Sequence, residues 1–358
     1  MYYNGRIWGR EKIMNITRNQ FIKLSLGVMG SLMLENNSLQ ADENINNTLI
    51  NPKTVIKDGM PMRMFGKTGE YVSLLGLGGF HVSLGSLTDK DASYLMRSAI
   101  DSGINFFDNS REYNDGLAEE RMGKALQNGY REKVFLMTKN CAHNRTKADS
   151  IKSLEESLKA LKTDYLDLWL FHEVIYDNDP EWIFIRGGID AAIEAKKQGK
   201  VRFIGFSGHK TPDIHLNMLE RFDNCDAVMM PLNIFDAHFR SFEKNVLPVL
   251  NQRNIGIMAI KSLGGFLSDM LYKTKIPYTD CIRYVMSLPV STVVIGMENM
   301  EQLTKNLEVV RNFKPMTYEE IKAVLEKAKP FAGDGRFEKY KTTSMLDGAK
   351  GQETHGFK

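Results

Sequence analysis

Eight short apolar segments recur along the chain, and their regular spacing restricts the folds that it can adopt. They are residues 74–79, 104–107, 134–138, 166–171, 201–206, 227–232, 255–260 and 291–296. Successive segments begin roughly 30 residues apart, which is the length of one strand–helix repeat. Each segment is apolar on both faces and is bounded by polar residues or glycine, as buried parallel strands are.

The segments between these predicted strands have the pattern of amphipathic helices. Residues 150–162 place isoleucine and leucine at helical spacing, with lysine and glutamate between them. Residues 88–103 form a second apolar stripe, with Thr88 as a candidate N-terminal cap and Gly103 as a candidate stop. Eight such units predict an α/β fold, the (β/α)8 TIM barrel. The alternative, a doubly wound open sheet, needs a switch point and usually has fewer strands per domain.

Three further features are predicted outside the strand–helix repeat. A β-hairpin around Lys67, Thr68 and Gly69 is expected to cover the N-terminal end of the barrel. An extra helix is expected at residues 317–329. The predicted organisation is a signal-like or disordered leader at 1–48, a barrel at 49–330 and a C-terminal tail at 331–358. The tail is expected to be either an ordered flap or a loose extension.

Composition argues against several classes of function. The chain has 358 residues, which is enough for one large barrel. Its 47 basic and 44 acidic residues give a net charge of +3 without a basic stripe, so nucleic-acid binding has little electrostatic support. Cys141, Cys225 and Cys281 are widely spaced, which indicates buried thiols and neither a disulfide framework nor a metal site.

The N-terminal residues resemble an export signal. Arg18 and Lys23 precede an apolar run at 24–34, which is too short to span a bilayer. The segment TRNQFIK resembles a twin-arginine signal in which Asn19 replaces the second arginine. We therefore expect export to the periplasm through a degenerate signal, with no stable membrane insertion of the mature chain. A cytoplasmic protein with a disordered or docking extension is the alternative.

Four residues with complementary chemistry lie at the ends of three consecutive predicted strands or just beyond them. Asp108 ends the second strand, Tyr113 follows it, Lys139 ends the third strand and His172 the fourth. Reactive groups of such barrels lie at the C-terminal face, so these side chains are expected to converge. The lysine cation is expected to lower the pKa of Tyr113, while Asp108 keeps the lysine charged. His172 is expected to hold a substrate oxygen near the tyrosine.

Residues 62–313 resemble the aldo-keto reductases. The matching segments are GKTGEYVSLLGLGG, GINFFDNSREY, a strand ending in TK, YLDLWLFH, GKVRFIGFS and VVIGMENMEQLTKN, in the family's order and spacing. The resemblance implies a TIM barrel that binds a nicotinamide cofactor without a Rossmann domain. It also implies an NAD(P)H-dependent oxidoreductase that reversibly reduces an aldehyde or ketone. Hydride would come from the nicotinamide and the proton from Tyr113, with Asp108, Lys139 and His172 in support.

The resemblance also implies a set of cofactor-binding residues. Ser207 would hold the nicotinamide carboxamide, and the last strand–helix unit would bind the adenine and phosphate end near a helix N-terminus. The predicted set is Ser207, Gly208, Asn233, Lys261, Gly296, Gln302 and Asn306.

The sequence departs from the family pattern within this set. Gly208 replaces a common asparagine, and Gly296 and Gln302 stand where lysine and arginine commonly grip a 2′-phosphate. Met229 replaces a common glutamine, and Lys261 is a candidate to compensate for the lost positive charge. NADP(H) is favoured over NAD(H), and no metal is expected.

Three hypotheses for function remain open at this stage. The first is a carbonyl reductase for a small-molecule substrate, acting as a monomer or weak homo-oligomer. The second is a cofactor-binding regulatory or accessory subunit with little turnover, and the third is a non-redox barrel enzyme. Sugar-derived carbonyls, simple aldehydes and ketosteroids are all open as substrates. Trp182, Phe184 and Phe266 predict an apolar pocket among the loops.

Overall fold

Eight parallel strands close into a barrel, which confirms the fold predicted from the sequence. The computed structural model describes residues 53–265 and 268–357. The predicted leader at 1–48 and Phe266 lie outside these residues. The strands are β1 (Thr54–Lys57), β2 (Met60–Met64), β3 (Tyr71–Ser73), β4 (Leu75–Gly78), β5 (Phe106–Asp108), β6 (Phe135–Asn140), β7 (Leu166–Phe171), β8 (Val201–Ser207), β9 (Ala227–Pro231), β10 (Gly256–Ile260) and β11 (Thr292–Gly296). Strands β4 to β11 form the barrel in chain order, and β11 pairs with β4 to close it.

A three-stranded antiparallel sheet covers the N-terminal end of the barrel. Strand β2 pairs with both β1 and β3, so the predicted hairpin is present with one additional strand. The ring of Phe65 lies 5.8 Å from that of Phe106 and 5.1 Å from that of Phe135, inside the barrel. A Cβ atom at Gly66 would lie 2.3 Å from the backbone nitrogen of Gly256. Glycine therefore allows the hairpin turn to plug the barrel.

Helices cover the outside of the barrel. They are α1 (Asp89–Asp101), α2 (Leu117–Ala125), α3 (Lys147–Leu161), α4 (Asp179–Ile185), α5 (Gly188–Lys197), α6 (Pro212–Arg221), α7 (Phe242–Asn245), α8 (Leu247–Gln252), α9 (Met270–Thr274), α10 (Tyr278–Ser287), α11 (Met300–Arg311), α12 (Tyr318–Ala328), α13 (Lys339–Thr342) and α14 (Ala349–Thr354). Thr88, Thr146 and Thr211 cap α1, α3 and α6 by accepting hydrogen bonds from first-turn backbone N–H groups. Helix α12 is the predicted extra helix. Within the described residues, no helix has the length and apolar character that crossing a bilayer requires.

Apolar side chains fill two layers around the strands. Successive strand residues point to opposite faces, so segments that are apolar throughout contribute to both layers. The layer inside the barrel includes Phe106, Phe135, Leu168, Leu170, Met229 and Met258. The outer layer lies between the strands and the helices. The charged residues of the site lie above the inner layer, where the strands end.

The C-terminal tail returns to the C-terminal face of the barrel. Lys341 is buried there and lies 2.6 Å from a carboxylate oxygen of Asp236, in the loop after β9. Asp347 accepts a hydrogen bond of 2.7 Å from Lys210, in the loop after β8. Of the two alternatives for the tail, the ordered flap is the one observed for residues 337–357.

Candidate active site

Three neighbouring strands bring the four predicted residues together. Asp108 is the last residue of β5, Lys139 lies near the end of β6, and His172 follows β7 directly. Tyr113 begins the short 3-10 turn Tyr113–Gly116 after β5. Because β5, β6 and β7 pair in that order, their C-terminal ends adjoin. All four side chains line one cavity at this face.

Lys139 joins three of these groups by hydrogen bonds. Its Nζ atom donates to a carboxylate oxygen of Asp108, to the backbone carbonyl of Asn109 at 2.7 Å and to the hydroxyl of Tyr113 at 3.0 Å. These contacts account for the three N–H groups of an ammonium. Lys139 is 1% exposed and Asp108 is 4% exposed, so their charges interact with little screening by water. The Tyr113 oxygen accepts from Lys139, which leaves its own O–H free to donate into the cavity.

The phenol of Tyr113 holds its proton more tightly than the sequence predicted. Burial raises the pKa of Tyr113 well above its usual value and the Asp108 charge adds to the rise, while Lys139 opposes it. The expected lowering of this pKa is therefore wrong, because burial and Asp108 outweigh the lysine. Burial alone would lower the pKa of Lys139, but Asp108 and Tyr113 raise it instead. Both groups are thus protonated at neutral pH.

A second hydrogen-bonded group, which sequence reasoning missed, lies beside the first. His172 Nδ1 lies 2.8 Å from one carboxylate oxygen of Glu112, and His143 Nε2 lies 2.8 Å from the other. The rings of Tyr113 and His172 meet edge to face, with centroids 6.0 Å apart. The one available signal was that Glu112 stands next to Tyr113 in the sequence. The histidine predicted to hold a substrate oxygen is therefore itself held by a carboxylate.

The same three residues approach closely enough to surround a cation. Donor atoms of Glu112, His143 and His172 lie within 4.8 Å of one another. Each histidine lies at hydrogen-bond distance from its own oxygen of Glu112, so these contacts form without a cation. His143 Nδ1 is buried and has no hydrogen-bond partner among the described residues. The absence of a resident metal stays a prediction.

The cavity above the barrel has a volume of about 790 Å³. This volume is typical of a pocket for a small ligand or cofactor. The tail supplies one wall through residues 345–348. Glu173, His209 and Asp347 add charged or polar groups to the lining of the cavity. The last of these is supplied by the tail, whose position the sequence does not reveal.

The predicted apolar pocket of loop aromatics is wrong for the two residues described. Trp182 stacks on His355 with ring centroids 4.7 Å apart, and Phe184 packs edge-on against Phe222 at 6.2 Å. Neither residue lines the cavity. Both lie in α4, and they pack against the tail and the outer helices.

Four of the predicted cofactor-binding residues line the cavity. They are Ser207, Gly208, Lys261 and Gly296. A Cβ atom at Gly208 would lie 2.4 Å from the carbonyl oxygen of Val174, so the asparagine common in the family has no room in this backbone arrangement. Lys261 makes no ion pair among the described residues, and burial lowers its pKa.

The other three predicted residues lie outside the cavity lining. Asn233 donates to the Tyr340 hydroxyl at 2.9 Å and thereby holds the tail. The side-chain oxygen of Gln302 accepts a hydrogen bond of 2.9 Å from the backbone N–H of Glu298. Asn306 accepts a hydrogen bond from the hydroxyl of Tyr278. Cofactor contacts by Asn233, Gln302 and Asn306 stay predictions.

Comparison with known proteins identifies the family of this chain. The sequence profile of the Aldo/keto reductase family matches residues 74–280. The chain belongs to this family. It is 28% identical over 311 residues to the uncharacterized oxidoreductase YqkF of Bacillus subtilis, covering 74% of this chain and 95% of the relative. It is 25% identical over 306 residues to L-galactose dehydrogenase of Arabidopsis thaliana, covering 75% and 95% of the two chains.

Solved structures of aldo/keto reductases superpose on the barrel. The holo form of AKR11C1 from Bacillus halodurans gives a TM-score of 0.64 at 26% identity, covering 78% of this chain and 99% of that one. An aldo/keto reductase of Klebsiella pneumoniae in complex with NADP and acetate gives 0.62 at 22% identity, covering 78% and 96%, and shows the fold alone. This aldo/keto reductase is accordingly an oxidoreductase.

Proposed function

We propose that this aldo/keto reductase reduces an aldehyde or ketone to an alcohol with NAD(P)H, and that Tyr113 supplies the proton. The observation that carries the proposal is the position of Tyr113. Its hydroxyl lies 3.0 Å from the Lys139 ammonium and lines the cavity. The raised pKa keeps this phenol protonated at neutral pH but also makes it a weaker acid, and the Lys139 ammonium offsets this by stabilising the phenolate as it forms.

The residues of the cavity fit a nicotinamide cofactor. Its volume of about 790 Å³ suits a ligand of this size class, and Ser207 brings a hydroxyl group to its wall. Lys261 offers a cation without a carboxylate partner among the described residues, which suits an anionic ligand. When bound, the reduced nicotinamide supplies the hydride. NADP(H) is the form we propose first, with NAD(H) as the alternative.

Each of the four residues, Tyr113, Lys139, Asp108 and His172, then has a separate role at the substrate oxygen. As negative charge develops on that oxygen, Tyr113 donates its proton and Lys139 stabilises the phenolate that remains. Asp108 keeps Lys139 charged and in place. His172 orients the oxygen toward the phenol.

The proposal is tested by the oxidation of NADPH and NADH with a panel of carbonyl compounds. Sugar-derived aldehydes and methylglyoxal head the panel because relatives are named L-galactose dehydrogenase, from Arabidopsis thaliana, and methylglyoxal reductase YeaE, from Escherichia coli. YeaE is 31% identical over 225 residues, covering 61% of this chain and 74% of its own. Turnover with at least one carbonyl supports the proposal. Tight cofactor binding without turnover across the panel contradicts it and favours an accessory subunit.

A further inference from the structure

One carboxylate holds two histidines at the edge of the cavity. Glu112 uses one oxygen for His172 Nδ1 and the other for His143 Nε2, each at 2.8 Å. The side chain of His143 is 1% exposed, that of His172 is 9% exposed and that of Glu112 is 14% exposed. Glu112 and His172 line the cavity. Glu112 thus engages Nδ1 of His172, whereas Nε2 has no hydrogen-bond partner among the described residues.

The hydrogen-bond partner of His172 Nδ1 determines whether Nε2 of the same ring can donate a hydrogen bond. An ionised carboxylate only accepts hydrogen bonds, so Nδ1 must carry the hydrogen when Glu112 is charged. In a neutral imidazole, Nε2 would then hold only a lone pair and could not donate to a carbonyl oxygen. In the imidazolium, both nitrogens carry a hydrogen.

Glu112 is charged in this setting. Burial would raise the pKa of Glu112, but hydrogen bonds from His143 and His172 lower it below the usual range. His143 thus has a part in the arrangement, since it stabilises the charge of the carboxylate that His172 meets.

We propose that Glu112 is a positioning residue, which accepts a hydrogen bond from Nδ1–H of His172, holds the ring as an imidazolium and directs Nε2–H to the substrate oxygen. The inference rests on the carbonyl reduction proposed above. It adds to that function a positively charged hydrogen-bond donor, His172 Nε2–H, at the substrate oxygen. The charge of this donor is set by Glu112, which precedes Tyr113 in the sequence. A charge-assisted hydrogen bond of this kind is roughly twice as strong as a neutral one.

The groups that face His172 come from three segments. After β6, the Sγ atom of Cys141 lies 3.5 Å from Nδ1, and the His143 ring centroid lies 6.1 Å from that of His172. After β5, Ser110 Oγ lies 3.3 Å from Nδ1, and Glu112 and Tyr113 complete that side.

In the third segment, which follows β7, the negative charge of Glu173 favours the imidazolium form of His172. Arg145 contacts only the backbone carbonyl of His172, at 2.9 Å. Burial opposes the charge, but Cys141, Glu112 and Glu173 together raise the pKa of His172 to about 10.

The direct test is an NMR titration of the His172 ring in the wild type and in Glu112→Gln. The amide keeps the shape of the carboxylate and removes its charge. In the wild type, His172 should stay charged through neutral pH. In Glu112→Gln its midpoint should fall by about 1–3 pH units, the effect of removing an opposite charge at this distance. The His172 signal is assigned by its loss in His172→Asn.

Two further variants control for shape and charge. Glu120→Gln makes the same charge change on an exposed residue of α2 and should leave the His172 titration unchanged. Glu112→Asp keeps the charge on a side chain shorter by one methylene. It should give a midpoint between those of the wild type and Glu112→Gln. This variant also supplies the test if Glu112→Gln does not fold.

The kinetic arm separates this inference from the proposed function. In Glu112→Gln, the alkaline limb of the kcat/KM profile should move to lower pH by the same amount as the NMR midpoint. Turnover by the wild type tests the reductase itself, whereas the titration needs no turnover. A wild-type His172 that is neutral at pH 7, or a midpoint that Glu112→Gln leaves unchanged, overturns the inference even in an active enzyme.

Discussion

Replacement of Lys341 by methionine should detach the tail from the barrel. The Lys341 ammonium is fully buried between carboxylate oxygens of Asp236 at 2.6 Å and Glu338 at 2.8 Å, and it donates to the Phe239 carbonyl at 2.8 Å. Methionine has a similar length but leaves both carboxylates without their cation. Breaking a buried pair in this way costs about 3–5 kcal/mol.

The structure points to the lower end of this range. Asp236 keeps hydrogen bonds from Ser241 Oγ and from the backbone N–H groups of Phe242 and Glu243. Burial already raises the pKa of Glu338, so this carboxyl can take up a proton when the lysine is lost. We therefore expect a loss of about 3 kcal/mol, which increases the undocked population of the tail more than a hundredfold.

Hydrogen exchange and kinetics measure the two consequences of this detachment. Backbone amides of residues 338–348 should exchange faster in Lys341→Met, while those of the barrel strands keep their protection. Because residues 345–348 line the cavity, KM for the carbonyl should rise more than kcat falls. Lys350→Met, on an exposed residue of the same tail, should leave both unchanged. Wild-type exchange of the tail amides in Lys341→Met would refute the role of this ion cluster.

Three other variants test separate parts of the account. Deletion of residues 1–48 should leave the thermal midpoint and activity unchanged, since strands β4 to β11 close the barrel and residues 54–73 form the sheet that covers its N-terminal end; a collapsed melting transition would contradict this. Lys139→Met should lower kcat by about 10²–10⁴-fold in steady-state assays, because the phenolate loses its cation; activity within tenfold of the wild type would count against the proposed chemistry. Lys261→Met should weaken NADPH binding about tenfold or more in a fluorescence titration, because one charged contact is lost. The control variant Lys273→Met, on an exposed residue of α9, should leave NADPH affinity unchanged. Equal affinities for the two variants would show that Lys261 does not contact the cofactor.

The barrel could be predicted because its signal is local and repeated. Buried parallel strands are apolar on both faces, and each predicted segment overlaps an observed strand. The convergence of Asp108, Tyr113, Lys139 and His172 followed from their positions at strand ends. Parallel strands place such residues at one face of the barrel.

The parts that could not be predicted depend on contacts between distant segments. The tail has no periodicity, and its ion pair joins Lys341 to Asp236 across 105 positions. The direction of the Tyr113 pKa shift depends on burial, which the sequence does not show. The sequence also does not show the orientation of aromatic side chains in loops. It predicts Trp182 in an apolar pocket, whereas in the structure this side chain stacks on His355 of the tail. The role of His143 could not be predicted from the sequence because its hydrogen-bond partner, Glu112, lies in another loop.

The most direct measurement of the central claim is carbonyl reduction by Tyr113→Phe. Lys139 keeps its contacts with Asp108 and Asn109 in this variant, so the loss of stability should not exceed about 1 kcal/mol. Cofactor affinity should stay at the wild-type value. We predict that kcat falls by about 10²–10⁴-fold, equivalent to roughly 3–5 kcal/mol of the barrier. A folded, cofactor-binding Tyr113→Phe that reduces carbonyls within tenfold of the wild-type rate would contradict the account.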